Sequence, residues 1–314
     1  MDIGEFKALN YLCSELEPAG SMTDKILDHN QPDKTLTPLY AERVRNPLKR
    51  IWGYLQNIKR HTYLLNQLIV VDITSSFKRS FIGLSWLVIT PIISVFAWVL
   101  LQGAGIIDPG DTNIPYPAYV LLSTSIWSFF QGSYLVTSNV IINGGRFMVA
   151  AKFPHEVLIA QQMVVHCINF VIPFIINIIV LLFYGIKFSS IAFLFPVTLI
   201  PLLLLGTGLG LLVALLRVVA VDFSRIADQC IMFLMFLTPI IYAPRIQLTW
   251  LANIVKYNPL TYLVGFSRDV LTHGNFYELN LYLIFSLISF VFFIISVWIF
   301  MKFESKLLER LINV

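Results

Sequence analysis

The stretch Phe188–Leu216, FSSIAFLFPVTLIPLLLLGTGLGLLVALL, runs for 29 residues without one ionisable side chain. A helix rising about 1.5 Å per residue needs about 20 apolar residues to cross the hydrocarbon of a bilayer. This run is long enough. Phe81–Ile107, Thr112–Gly145, Val157–Phe183 and Leu279–Met301 read the same way, and Gln229–Ala243 is a sixth, shorter run that needs residues of the preceding turn to span. The whole chain is 57% hydrophobic and 13% charged, against about 25% charged residues in soluble domains. Composition therefore excludes a water-soluble fold. The predicted fold is an all-α membrane protein with six transmembrane helices, suited to moving something across the bilayer.

The placing of the charges orients these spans. If the N-terminus is cytoplasmic, 18 of the 22 Lys and Arg residues fall on cytoplasmic segments. Only Lys187, Arg245, Lys256 and Arg268 then lie outside. The positive-inside bias predicts both termini in the cytoplasm. The first hydrophobic run begins at Phe81, too deep for a signal peptide. Cys13, Cys167 and Cys230 have neither metal-like nor disulfide-like spacing, and read as small apolar residues.

Around the spans the chain divides into four predicted parts. Residues 1–45 form a polar cytoplasmic tail, broken by Pro18, Gly20, Pro32 and Pro38, with a short helix near Glu5–Leu16. In residues 46–80, Asn46-Pro47 reads as a helix start. Leu48, Ile51, Trp52, Leu55 and Ile58 then recur at helical spacing against Lys49, Arg50, Lys59 and Arg60. That is a basic amphipathic helix suited to the cytoplasmic headgroup layer. Leu64–Val71 carries the chain on to Asp72. Residues 81–303 form the six-span transmembrane domain, and 304–314 a short amphipathic cytoplasmic tail. Val221–Asp228 reads as a charged cytoplasmic turn. Within the long outer segment 245–278, Leu248–Val255 and Pro259–Phe266 are too short to span, and are predicted to be interfacial or re-entrant helices before the last span.

The membrane interior is nearly empty of titratable groups. His166 alone lies well inside a span, and a lone His on a helix reads first as hydrogen-bonded packing. Proton-coupled carriers place acidic or His relays at mid-membrane, so ion-coupled transport is disfavoured and the energy should come from another subunit. No Gly-Lys dipeptide occurs, which rules out a phosphate-cradling loop in this sequence. Neither H-E-x-x-H nor G-x-S-x-G is present, and no carboxylate pair lies within an apolar run. The chain is expected not to be an enzyme. Gly206-Thr207-Gly208-Leu209-Gly210 contains a G-x-x-x-G step, whose first reading is close helix packing.

Aromatic residues are plentiful. Interfacial belts and packing account for most of them. The sharper reading is a channel lining, because flat ring faces stack on the C–H faces of sugars. Phe96, Phe130 and Phe233, set in the middle of spans, are the candidate lining residues, with Trp86 packed near the entry. Lys78 and Arg79, just before the first span, are the candidate site where a lipid headgroup enters, since headgroup phosphate attracts such cations by about 1 kcal/mol each.

At this entry, Asp72-Ile73-Thr74-Ser75-Ser76-Phe77-Lys78-Arg79-Ser80-Phe81-Ile82-Gly83-Leu84-Ser85-Trp86, then Pro91, resembles D-I-x-x-R-Y-R-x-S-x-L-G-x-x-W-x-x-x-x-P. That is the signature of type-2 ABC exporter permeases for O-antigen, capsular polysaccharide and teichoic acid. Asp72, Ser80, Gly83, Trp86 and Pro91 match, Phe77 and Lys78 are conservative, and Ser76 replaces an Arg. Further on, Tyr116-Pro117 with Trp127-Ser128-Phe129-Phe130 resembles the family's second span. Asn139–Asn143 with Lys152-Phe153-Pro154-His155-Glu156 resembles its cytoplasmic turn. Val221-Asp222-Phe223, Thr238-Pro239-Ile240-Ile241-Tyr242, Asn258-Pro259-Leu260-Thr261 and Arg268-Asp269 follow in the family's order. The resemblance covers residues 47–305.

The resemblance implies a homodimer of permeases bound to two copies of a cytoplasmic ATPase subunit, which would hold ATP and Mg. No cofactor is expected in this chain. Arg146, Lys152, Phe153 and Pro154 would contact the ATPase. Tyr242, Asn258 and Pro259 would belong to an outer gate. The substrate would be a lipid-linked polysaccharide, O-antigen first, carried across a bacterial inner membrane. Membrane lipid is a further expected partner and nucleic acid is not. The alternatives are a permease for capsule, teichoic acid or a small lipid or drug. A different class, a membrane transferase acting on polyprenyl-linked glycans, would need acidic groups from Asp72, Glu156, Asp222 and Asp228.

Overall fold

In the computed structural model, residues 47–78, 85–144, 155–244, 249–272 and 278–312 are described. Among them every regular element is a helix. The chain opens with α1 (Pro47–Arg60) and α2 (Thr62–Lys78), joined at His61 with the helical hydrogen bonds carried through (His61 N–H to the Asn57 carbonyl, Leu65 N–H to the His61 carbonyl). α1 starts at Pro47, whose missing N–H costs nothing in a first turn. The cationic ending Lys59-Arg60 suits a helix C-terminus.

Next come α3 (Ser85–Gly103), α4 (Tyr116–Ser138) and α5 (His155–Phe183). A 3₁₀ turn, Ser190–Leu194, and a single α-turn, Phe195–Thr198, lead into α6 (Ile200–Val219) and α7 (Val221–Leu234). α8 (Thr249–Tyr257), α9 (Pro259–Thr272) and α10 (Leu279–Ile312) complete the fold. α10 passes without a break through the position where the sequence suggested a separate tail. Glu5–Leu16 and the rest of residues 1–45 lie outside the described residues.

α5, the helical run Ser190–Val219 that ends in α6, and α10 are long and apolar enough to cross a membrane, and α3 contributes a shorter apolar stretch, Val88–Gly103. Of the six expected spans, three are thus clear by length and apolarity among the described residues and one is a shorter apolar helix. The physical reason is plainest in α4. At 23 residues it is about 35 Å long, yet it is rich in Ser, Thr and Tyr. It packs against α3, α5, α6 and α9, and Leu122, Ile126, Phe130 and Tyr134, four residues apart, are fully buried. A helix sheathed in protein is not required to be lipophilic. Some of its buried hydroxyls bond back to its own carbonyls, Ser133 to Phe130 and Thr137 to Ser133.

Two local readings also change. Val221–Asp228, expected as a turn, forms the first two turns of α7, so the chain reverses at Ala220 (φ −148°, ψ 83°) rather than across eight residues. α4 stops at Ser138 with a turn at Asn139, and residues 140–144 are helical again. The break therefore comes before the expected Asn143-Gly144-Gly145.

The G-x-x-x-G step sets the tightest helix contact. A Cβ on Gly206 would collide with Ser133 Oγ and stand 2.6 Å from the Phe130 carbonyl, and one on Gly210 would collide with Thr137 Oγ1 and stand 2.6 Å from the Tyr134 carbonyl. Gly208, on another face, lies against Phe292 and Phe293 of α10. α6 is thereby wedged between α4 and α10, the close-approach use of small residues in membrane helices. The outward faces of α5 and α10 stay apolar and exposed, with Ile175, Ile179, Leu283 and Leu287 each at least half exposed. Soluble monomers do not leave such faces uncovered.

Candidate functional site

Two polar constellations hold the bundle at its opposite ends. At the first, α4 begins below a non-helical turn, Thr238–Pro244. Tyr116 Oη donates to the Ile241 carbonyl at 3.1 Å, and Tyr119 Oη lies 3.1 and 2.9 Å from the Pro239 and Tyr242 carbonyls. Arg268 of α9 is 7% exposed. Its guanidinium sits 4.3 Å from the centre of the Tyr119 ring. Nη1 reaches Ser123 Oγ at 3.3 Å and the Pro239 carbonyl at 3.4 Å, and Nε lies 3.5 Å from the Asp269 carboxylate.

Asn258 closes the other side of this turn. Its Nδ2 donates to the Leu237 carbonyl and Thr238 Oγ1, while its Oδ1 accepts the Leu260 N–H. That last bond caps α9, with Pro259 in the first helical position. The stretches 238–242, 258–261 and 268–269 therefore form one knot with residues 116–123 of α4, far away in sequence. Backbone groups that a helix would have satisfied are here satisfied by side chains, as a non-aqueous setting requires.

At the opposite end, Arg217 in the last turn of α6 pairs with Asp228 of α7 at 2.7 Å across the Ala220 reversal. Tyr134 Oη donates to the same Asp228 oxygen at 2.7 Å, and Arg217 Nη2 lies 3.1 Å from Ser138 Oγ. This clasp ties three helices together beside the break at Asn139. Nearby, Asn57 of α1 donates to Glu156 at 2.8 Å and Gln161 donates to Asp72 of α2 at 2.8 Å, docking the N-terminal helices on α5.

His166 is a packing residue, as its sequence context suggested. Its Nε2 lies 2.9 Å from the Phe129 carbonyl, its ring stacks on Phe129 at 5.1 Å, and Gly132 leaves it room. Among the described residues, no group of three or more His, Cys, Asp or Glu side chains is placed to hold a metal.

The family model described as ABC-2 type transporter matches residues 63–272, more than half of the chain. The chain belongs to the ABC-2 type transporter family. It is also similar to two proteins of Klebsiella pneumoniae called O-antigen export system permease protein RfbA, each 22% identical over 79% of this chain and 96% of the relative. A Myxococcus xanthus protein of the same name is 23% identical over 60% of this chain and 71% of its own length. With its apolar spans, this ABC-2 type transporter is a multi-pass membrane protein.

Within this transporter the site residues expected from sequence scatter. Tyr242 and Asn258 both belong to the knot, Tyr242 through Tyr119 and Asn258 through Leu237 and Thr238, and Pro259 follows Asn258 there. Tyr242 Oη donates to the Phe236 carbonyl at 2.9 Å. Phe96 and Phe233 are each 61% exposed, on α3 and α7. Phe130 is fully buried, 5.3 Å from the Trp127 ring and beneath α6 at Gly206. A ring so enclosed lines no surface of the chain, because mid-span position does not reveal which face of α4 looks outward. Trp86, expected to be packed, is 55% exposed. Lys78 is the last residue of α2, while Arg79, Arg146, Lys152, Phe153 and Pro154 lie outside the described residues.

The sequence reading missed the residues that do most of the tying. Tyr119, Tyr134, Arg217 and Asp228 carried no motif of their own. Their one available signal was that polar groups in so apolar a chain need partners.

Proposed function

We propose that the chain is the permease subunit of an ATP-driven exporter that moves a lipid-linked polysaccharide, O-antigen first, out across the bacterial inner membrane. The observation that carries this reading is the family match over 63–272, joined to relatives named as O-antigen export permeases that align over nearly their whole length. In this reading α3, α4, α5, α6, α7 and α10 are the six spans, both termini are cytoplasmic, and α8 and α9 are short outer helices. α7 is 14 residues long, and the turns that follow it to the 238–244 knot complete its crossing.

Two copies of the chain would enclose the conduit, and two copies of a separate subunit would bind ATP and Mg. Residues 140–154 between α4 and α5, with α1, would meet that subunit. The knot at Tyr242, Asn258 and Pro259 would form part of the outer gate. Phe96 and Phe233, exposed and apolar, remain the candidate conduit rings, and Lys78 and Arg79 the candidate entry for a lipid phosphate.

The transferase alternative loses support from the engagement of its required carboxylates. Asp72 is bonded to Gln161, Glu156 to Asn57, Asp228 to Arg217 and Tyr134, and Asp222 lies 3.6 Å from Arg225. They stand in separate side-chain pairs, not around a shared site. Deleting the gene in its host tests the proposal. Surface O-antigen should disappear while lipid-linked glycan accumulates inside, and re-expression of this chain should restore export. Unchanged surface glycan in the deletion strain would overturn the reading.

A further inference from the structure

Two acids of the sequence motifs, Asp72 and Glu156, each accept a hydrogen bond from a side chain far away in sequence. Asn57 Nδ2 donates to Glu156 Oε1 at 2.8 Å, and Gln161 Nε2 donates to Asp72 Oδ2 at 2.8 Å. In each pair one member lies on the N-terminal helices and the other on α5. We propose that Asp72 and Glu156 are positioning residues. With Gln161 and Asn57 they clamp α1–α2 to α5, so that a displacement of α1 by the ATPase subunit turns α5 with it instead of sliding past. The proposal rests on the exporter reading above and adds to it the contact that carries the partner's motion into the membrane.

Apolar packing alone does not fix the register of these helices. Leu64 and Leu68 of α2 pack against an inner cluster that includes Ile141 and Val157. Such contact is non-directional, whereas a hydrogen bond weakens steeply away from its preferred angle. The two bonds therefore decide how α1–α2 lies. Asn57 and Asp72 are separated by about 20 Å of helical chain, and two anchors that far apart fix direction as well as place. Around α5, Glu156 and Gln161 stand about 140° apart at 3.6 residues per turn, so the helix is gripped on two sides and does not roll freely. Glu156 and Gln161 are 6% and 4% exposed. Breaking either bond leaves a buried polar group to satisfy.

Farther along, α5 is fastened to α4. His166 Nε2 lies 2.9 Å from the Phe129 carbonyl, its ring stacks on Phe129 at 5.1 Å, and Phe170 is 4.7 Å from the same ring. One helix thus joins α1–α2 to α4, held by polar bonds at one end and by rings beyond them. Both clamp donors are neutral amides. Each bond needs an acceptor opposite a donor, not a net charge. That separates this role from a direct contact between either acid and a cation of the partner subunit.

The test uses the full chain assembled with its ATPase subunit in proteoliposomes. Asn57→Asp sets two carboxylates against each other, and export per ATP should fall several-fold while assembly and ATP hydrolysis persist. Adding Glu156→Gln places an amide opposite a carboxylate again, with the roles exchanged, and export per ATP should return to near its starting value. Gln161→Glu and its rescue by Asp72→Asn should behave alike. Glu156→Gln alone keeps an acceptor and should cost little. The clamp itself is read without any glycan, by spin labels at the exposed Tyr63 and Val164 after replacement of Cys13, Cys167 and Cys230. Their distance distribution should be narrow and unchanged by ATP in the starting protein, broad in Asn57→Asp, and narrow again in the double variant. If Asn57→Asp or Gln161→Glu does not assemble, Gln161→Met, nearly isosteric and unable to donate, takes its place in both measurements.

A distribution that stays narrow in the unpaired variants overturns the clamp. Normal export per ATP in an assembled unpaired variant overturns its role in coupling, and so does failure of Glu156→Gln to rescue Asn57→Asp. A loss in Glu156→Gln alone as large as that in Asn57→Asp shows a direct charge contact and overturns the positioning role. Absence of glycan movement by the unmodified complex counts against the exporter reading alone, and the distance measurement still decides the clamp.

Discussion

Arg268 and Arg217 stand at opposite ends of α4, and they hold it by different means. Arg268 sits over the Tyr119 ring and spends its donors on Ser123, the Pro239 carbonyl and Asp269. Its partners include backbone with no helix to satisfy it. Arg217 bonds side chains alone, Asp228 and Ser138, while its Nε finds no partner among the described residues. The Arg217 and Asp228 side chains are 14% and 25% exposed. The first arrangement fixes an irregular chain path. The second joins separate helices at a reversal, where the ties can be broken and remade without leaving backbone bare. Under the proposed orientation the difference would give the outer gate a fixed frame and let the inner end pass on a partner's motion.

The largest effect should come from the contact that binds both ends into one body. Gly206→Leu would drive atoms into Ser133 and the Phe130 carbonyl, and the expected outcome is loss of folded, assembled complex on size-exclusion chromatography. A stable, monodisperse variant would break the claim that α4 and α6 act as one unit.

Arg268→Ala comes next. It strips charge-assisted bonds from buried partners, at a cost of about 2–4 kcal/mol, and should lower the thermal midpoint of the purified complex markedly. Tyr119→Phe should reproduce a smaller share of that loss. If Arg268→Ala kept full stability but lost export, the knot would be a moving part and the comparison would be reversed.

Arg217→Ala should cost less, about 1–3 kcal/mol, because the pair is partly exposed. Its sharper readout is coupling. ATP hydrolysis should continue in the complex while export per ATP falls, and adding Asp228→Ala to Arg217→Ala should cause little further loss. Additive effects in this double-mutant cycle would show that the two side chains act independently. The smallest effect is expected at Arg225→Ala. That residue's pair with Asp222 has side chains 75% and 90% exposed, and such pairs contribute little. Stability and export should be unchanged within error.

Much of the helical content was legible because hydrophobic runs of that length have few other uses. α5, α6 and α10 are marked by composition alone. α4 was legible as a helix, but its buried Ser, Thr and Tyr residues weaken the signal that marks a span facing lipid. α7 was half concealed because Asp222, Arg225 and Asp228 read as a turn, whereas Asp228 is paired to Arg217 across Ala220 and helix formation proceeds through them. At the knot, the short helix from Pro259 and the motifs around Tyr242 and Arg268 were visible one by one. Their convergence was not, since no local periodicity links residues 119, 239 and 268. Phe130 shows the same limit from the other side. Its depth in a span was readable, and its facing was not.

If export is driven by ATP hydrolysis in a separate subunit, translocation must depend on that subunit. The most direct test reconstitutes this chain in proteoliposomes with and without its ATPase subunit, loads lipid-linked O-antigen into the ATP-facing leaflet, and follows its appearance on the opposite leaflet with a membrane-impermeant lectin. The predicted result is glycan translocation that requires both the ATPase subunit and ATP, with no nucleotide turnover by this chain alone. Translocation without the ATPase subunit, or ATP hydrolysis by the isolated chain, would contradict it.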